Sequence, residues 1–135
     1  MYEILMPVDS NESRGTAQAE AVVDLPAASE EIRVTLLHVF DDEDREENTA
    51  TKQIRGGNAA RSRLEEAGVE ARDVTRVGDP ATEILAAAQE TEADHIVLGG
   101  RKRSPLGSLL FGSVSQAVVL DSERPVTITG GKREE

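Results

Sequence analysis

Cysteine and tryptophan are absent from the 135 residues, and the aromatic set is one tyrosine and two phenylalanines. Without cysteine there is no disulfide framework, no thiolate metal site and no thiol nucleophile. Two histidines, His38 and His95, are too few for a histidine-rich zinc site. So small an aromatic set leaves little to stack against an isoalloxazine ring, which argues against a flavin-carrying electron-transfer protein. No apolar run approaches the ~20 residues that a membrane-spanning helix needs, and no charged segment leads into an apolar leader. These absences set the expectation of a soluble, cytoplasmic protein without a membrane partner.

What the chain has is acid. Against 26 acidic residues stand 15 basic ones, a formal charge of −11, and lysine occurs only at Lys52, Lys102 and Lys132. Such a surface repels nucleic acid, whose binding rests on neutralising phosphates, so no nucleic-acid partner is expected. Self-repulsion favours solubility and high salt screens it. An acidic, lysine-poor, aromatic-poor composition points to a salt-loving organism. The length suits a single domain over residues 1–135, burying roughly two-thirds of its unfolded surface.

Apolar runs and turn residues divide the chain into alternating elements. Tyr2–Val8 is mostly apolar and bounded by Asp9-Ser10, which predicts a buried strand. From Ser13 to Leu25, Ala17, Ala21 and Leu25 recur at helical spacing, with Asp9, Ser10 and Asn11 as candidate caps and Pro26 as the stop. Ile32–Phe40 predicts a second strand, followed by an acidic loop over about 41–49. A helix over about Thr49–Ala67 is interrupted by Gly56-Gly57, and Val69–Val77 reads as a polar edge strand. Gly78-Asp79-Pro80 marks a turn, with Asp79 at N-cap and Pro80 at N1 of a helix carrying Ile84, Leu85 and Ala88. Asp94–Leu98, a helix over Gly112–Leu120, a strand over Pro125–Thr129 and a tail from about 131 complete the order. Five strands alternating with helices, without a hairpin signal, predict a parallel sheet covered on both faces.

In such sheets ligands bind outside the carboxyl ends of the strands. Asp9, His38-Val39-Phe40 and Gly99 stand at three of those ends. The segment after the fourth strand carries most of the chemistry. Two glycines, Gly99-Gly100, lead into the basic triplet Arg101-Lys102-Arg103, and Gly112-Ser113 opens a helix. A strand end, a basic loop and a helix N-terminus with free N–H groups make a place for a phosphate. Ser113 and Ser115 add hydroxyls. A helix cap alone would also account for Gly112-Ser113. It is not a Walker A loop, because Ser113 stands where that motif needs lysine. The acidic stretch Asp41–Glu47 lacks the central glycine of a calcium loop and reads as a solvated loop. The histidines have no paired group in the sequence, and structural roles are expected of them. No nucleophile stands with a base to activate it.

With these residues the chain resembles the universal stress protein family. The carrying pieces are ILMPVDSNESRGTAQAEA, LLHVF, VGDPATEIL, ADHIVLGGRKRSP, FGSVSQAVV and RPVTI. The resemblance implies a flavodoxin-like α/β fold, an open five-stranded, mainly parallel sheet of order 3-2-1-4-5 with helices on both faces. It also implies a homodimer joined through the last strand and, in one branch, ATP binding through G-x2-G-x9-G-[ST]. On this chain the pattern runs from Gly99 to Gly112-Ser113, and Lys102 replaces its middle glycine. By resemblance, Pro7, Val8 and Asp9 border the adenosine, with Asp9 accepting from it, and Val39 faces the base. Gly99, Arg101, Gly112, Ser113, Val114 and Ser115 hold the phosphates, and Lys102 either obstructs the close backbone approach to them or replaces it with an ammonium contact. The expectation is an ATP-binding stress regulator, with magnesium and a protein partner, hydrolysing ATP at most slowly. The alternative is a dimeric interaction protein of the same fold that binds no nucleotide, marked by Lys102.

Overall fold

The computed structural model describes residues 1–40, 47–100 and 112–130, with side chains placed outside 47–54. The strands are β1 (Tyr2–Pro7), β2 (Ile32–Phe40), β3 (Glu70–Val77), β4 (His95–Gly99) and β5 (Val126–Thr129). Between them run α1 (Glu12–Val23), α2 (Ala28–Glu31), α3 (Glu47–Glu66), α4 (Pro80–Glu90) and α5 (Ser113–Asp121). The sheet order is β3-β2-β1-β4-β5 and every neighbouring pair is parallel.

β1 and β2 are mostly apolar through their middles, at Ile4–Met6 and Val34–Leu37, where helices cover both faces. Ile4, Met6, Val34 and Leu36 pack against Ala19 and Val22 of α1 and Ala60 and Leu64 of α3. Leu5, Leu37, Ile96 and Leu98 face the other way, onto Ile84 and Ala88 of α4 and Val118 of α5. β3 forms one edge and β5 the other.

The helices depart from the sequence expectation in three places. First, α1 is capped by Asn11, one of the expected candidates, which accepts from the Arg14 amide at 2.8 Å, but it ends at Val23, short of Leu25. The buried face of α1 is then Gly15, Gln18, Ala19 and Val22, while Leu25 lies beyond the helix and is exposed. Second, α3 is not interrupted at Gly56-Gly57; it runs from Glu47 to Glu66. The glycines are packing devices. A first side-chain carbon at Gly56 would overlap the Asp9 carbonyl, at Gly15 the Gly56 carbonyl, and at Gly57 the His38 ring. Tight approach between α3, α1 and the β1–α1 loop offsets the ~1 kcal/mol of helix propensity that each glycine forgoes. Third, a short α2 precedes β2, entered through Ala27 at φ 56°.

Asp79 caps α4 as expected, accepting from the Thr82 amide at 3.1 Å with Pro80 opening the helix. The acidic loop expected over about 41–49 is already helical from Glu47. Its earlier part, the basic triplet 101–103 and the tail 131–135 lie outside the described residues.

Candidate functional site: the cleft at the carboxyl ends of the strands

β1 stays paired with β2 as far as Pro7↔Leu37, but it pairs with β4 only at Ile4↔His95 and Leu5↔Ile96. Beyond those residues β1 and β4 part, and the winding direction reverses at this point. That is where an open α/β sheet has its crevice. Gln18 of α1 bridges the parting: its buried amide donates to the Pro7 carbonyl at 2.7 Å and the Val97 carbonyl at 3.1 Å. Two strand-end carbonyls that the ladder leaves open thereby gain a donor.

Above Gln18 lies a cleft of about 270 Å³, just below the range of about 300–1,000 Å³ usual for small-molecule sites. Pro7, Val8 and Asp9 border it from the end of β1, Val39 from β2 and Gly99 from β4; Gly112, Ser113, Val114 and Ser115 border it from the start of α5. Arg101 and Lys102 lie outside the described residues. The side formed by β2 and α4 is apolar, with Leu37, Val39, Pro80 and Ile84. The side formed by the β1–α1 loop and α5 is polar.

Gly112 is the N-cap of α5 and has no side chain to cap it, and no side chain among the described residues does so. The first amides of a helix have no partner inside it, so those of Ser113, Val114 and Ser115 are donors for an acceptor in the cleft. Asp9 is engaged at both carboxylate oxygens. Oδ1 accepts from the Asn11 amide at 2.9 Å, and Oδ2 pairs with Nη1 of Arg14. Arg14 also donates from Nε to the Gly100 carbonyl at 3.3 Å. Its stem lies where a side chain at Gly99 would be: a first carbon there would come 2.5 Å from Arg14 Cδ and 3.0 Å from Gln18 Oε1. At Gly100 it would overlap the Thr129 carbonyl. Packing against backbone requires glycine at 100, whereas a larger residue at 99 would have to displace the Arg14 side chain.

Arg14 and Gln18 were not among the residues singled out from the sequence, nor were Leu37, Pro80 and Ile84. A signal was present: an arginine and a glutamine one helical turn apart lie in the helix that follows Asp9, on the same side as the buried Gly15 and Ala19. The histidines stand apart from the cleft, and both have partners that the sequence does not reveal. His38 is buried against α3, with Nε2 3.3 Å from Asp73 Oδ1, and Asp73 in turn pairs with Arg61. His95, at the start of β4, lies 3.0 Å from the Tyr2 hydroxyl and 2.6 Å from that of Thr127. Burial pushes its pKa down. Among the described residues, no three His, Asp or Glu side chains gather to hold a metal, and no helix is long and apolar enough to cross a membrane.

Comparison with known proteins agrees with this architecture. Residues 1–130 match the universal stress protein family. A universal stress protein of Methanocaldococcus jannaschii is 33% identical over 69 residues, 51% of this chain and 43% of that protein. The match thus spans less than half the length of that relative. A solved universal stress protein from Archaeoglobus fulgidus superposes with a TM-score of 0.81 at 26% identity, over 96% of this chain and 98% of that one. Another structure from that organism, in complex with dAMP, gives a TM-score of 0.77 at 21% identity over 96% and 98%; it shares the fold. With a solved relative that follows the chain almost end to end, and a family match unbroken from residue 1 to residue 130, the chain belongs to the universal stress protein family.

Proposed function

We propose that the cleft binds an adenine nucleotide, ATP with magnesium, and that its occupancy regulates a stress response. The protein would act in the cytoplasm as a homodimer joined through β5 and hand the signal to a protein partner. One observation carries the reading: an apolar wall of Leu37, Val39, Pro80 and Ile84 faces the N-terminus of α5, which opens on Gly112, across a single cleft. The wall suits a base and the helix terminus suits phosphates. The dAMP complex of the Archaeoglobus fulgidus protein, which shares the fold, supports the same ligand class. Magnesium would enter on the phosphates, since a site of that kind takes most of its oxygen ligands from substrate and water.

Titration calorimetry with ATP and magnesium tests the proposal. Molar potassium chloride is the medium, because high salt screens the self-repulsion of an acidic, lysine-poor chain of net charge −11. Saturable binding, tighter for ATP than for adenosine, is expected, and Gly112→Val is expected to abolish it while leaving the circular dichroism unchanged. Unchanged ATP affinity in that variant would reject the phosphate site. No heat and no copurified nucleotide would favour the dimeric interaction protein, for which Lys102 in place of glycine is the sequence observation.

A further inference from the structure

We propose that Arg14 is a phosphate-binding residue of the cleft, and that its ion pair with Asp9 is what an incoming phosphate displaces. The inference rests on the nucleotide reading above. Among the described residues lining the cleft, Arg14 is the one cation and Asp9 the one anion. Between these two side chains the charge is balanced as long as they hold each other. Arg14 is held by its stem as well as by its head. Its Cγ and Cδ lie against Gly99, in space that any other residue at 99 would fill. Its Nε is fixed on the Gly100 carbonyl at 3.3 Å. A guanidinium anchored this way has lost much of its freedom before a ligand arrives, which lowers the entropic cost of binding.

The partner it holds is easily exchanged. The Asp9 side chain is 53% exposed and that of Arg14 is 26% exposed. Ion pairs so open to water are weak. A guanidinium presents a fork of donors that matches two oxygens of a phosphate, which makes a stronger contact than a half-solvated carboxylate. On exchange, Arg14 neutralises the phosphate and the Asp9 carboxylate becomes free to accept from a ligand hydroxyl. Phosphate and sugar recognition are thereby coupled through one ion pair. The cleft would select ligands by charge, favouring nucleotides over nucleosides even in a strongly acidic protein.

Calorimetry with AMP and adenosine on the folded chain separates the possibilities. Arg14→Met keeps the stem and removes the charge; AMP affinity should fall about tenfold or more while adenosine changes by less than about threefold. Arg14→Lys, which restores charge without the fork, should recover part of the preference for AMP. If Arg14→Met binds AMP as the parent chain does while Gly112→Val does not, Arg14 has no such role and the nucleotide reading stands. Equal affinity of the parent chain for AMP and adenosine also overturns the role. Failure of the parent chain to bind either ligand overturns the nucleotide reading, and the role of Arg14 with it.

Discussion

Gly56 shows at the scale of one residue how the cleft is held. It sits inside α3, where alanine would raise helix propensity by ~1 kcal/mol. Yet a methyl group there would overlap the backbone carbonyl of Asp9, which no side-chain rotation can relieve. Overpacking of that kind costs about 1–3 kcal/mol, and the larger effect should decide the sign. Gly56→Ala is therefore expected to lower the thermal midpoint by several degrees. Because the strain falls on Asp9, nucleotide affinity should fall with it. A raised midpoint would mean that α3 does not approach the β1–α1 loop this closely. The same residues mark what a sequence withholds. Gly56-Gly57 look like a helix breaker until the neighbouring helix is in place. Arg14 and Gln18 look like solvent-facing residues until β1 and β4 part above them.

At the scale of the elements, the amino ends of the strands set the response to acid. Arg33 on β2 makes a forked contact with Glu3 on β1, at 2.9 Å from Nε and 2.5 Å from Nη2. The guanidinium holds the Glu3 carboxyl below the usual carboxylate range. Burial holds His95 on β4 below the usual histidine value. Both groups take up a proton less readily in the folded chain than in the unfolded one, so stability rises with pH through each window. The contribution of Glu3 is complete above the unfolded carboxyl value and is lost as the pH falls towards the folded one. That of His95 begins to be lost once the unfolded imidazole titrates, near pH ~6.5. The melting temperature should hold level above neutrality and fall in two stages on acidification. His95→Asn should remove the first stage and Glu3→Gln should make the second shallower. A first stage that survives His95→Asn would assign it elsewhere.

Legibility follows the range of the forces at this scale. Strands over Tyr2–Pro7, Ile32–Phe40 and Glu70–Val77, and the Asp79 cap, stand in the local pattern because adjacent residues produce them. Parallel pairing could be read from strand–helix alternation. The order of the strands could not; it came with the family resemblance, since pairings such as Ile4↔His95 join residues with no local relation. The candidate residues in the described part of the chain border one cleft, because strand ends and a helix start are local features. The apolar wall from Leu37, Pro80 and Ile84 was missed, because Leu37 and Ile84 read simply as core and Pro80 as a helix start.

At the scale of the whole molecule, the two edges of the sheet differ. β3 exposes Glu70, Arg72 and Asp73, charges that discourage pairing with another strand. β5 is short and apolar at Val126 and Ile128, and the neighbouring α5 leaves Leu120 74% exposed and Val119 46% exposed. An edge of that kind favours a second copy, so light scattering in concentrated salt should return twice the chain mass. Replacing Leu120 with lysine should shift the molecule towards the monomer. A monomer mass for the unaltered chain would reject pairing through β5.

The position of β1 also has a consequence for biosynthesis. β1 is made first, yet it lies at the centre of the sheet, between β2 and β4. Translation at about 5–20 residues per second leaves roughly 3–11 s between the end of β2 at Phe40 and the arrival of β4 at His95. During that interval one side of β1 has no strand to pair with, and Gln18 can reach Pro7 but not Val97. The cleft between the parted strands does not exist until β4 docks, and its α5 side waits for residues beyond Gly112. Ligand can meet the cleft only after β4 has docked beside β1 and the start of α5 has followed it.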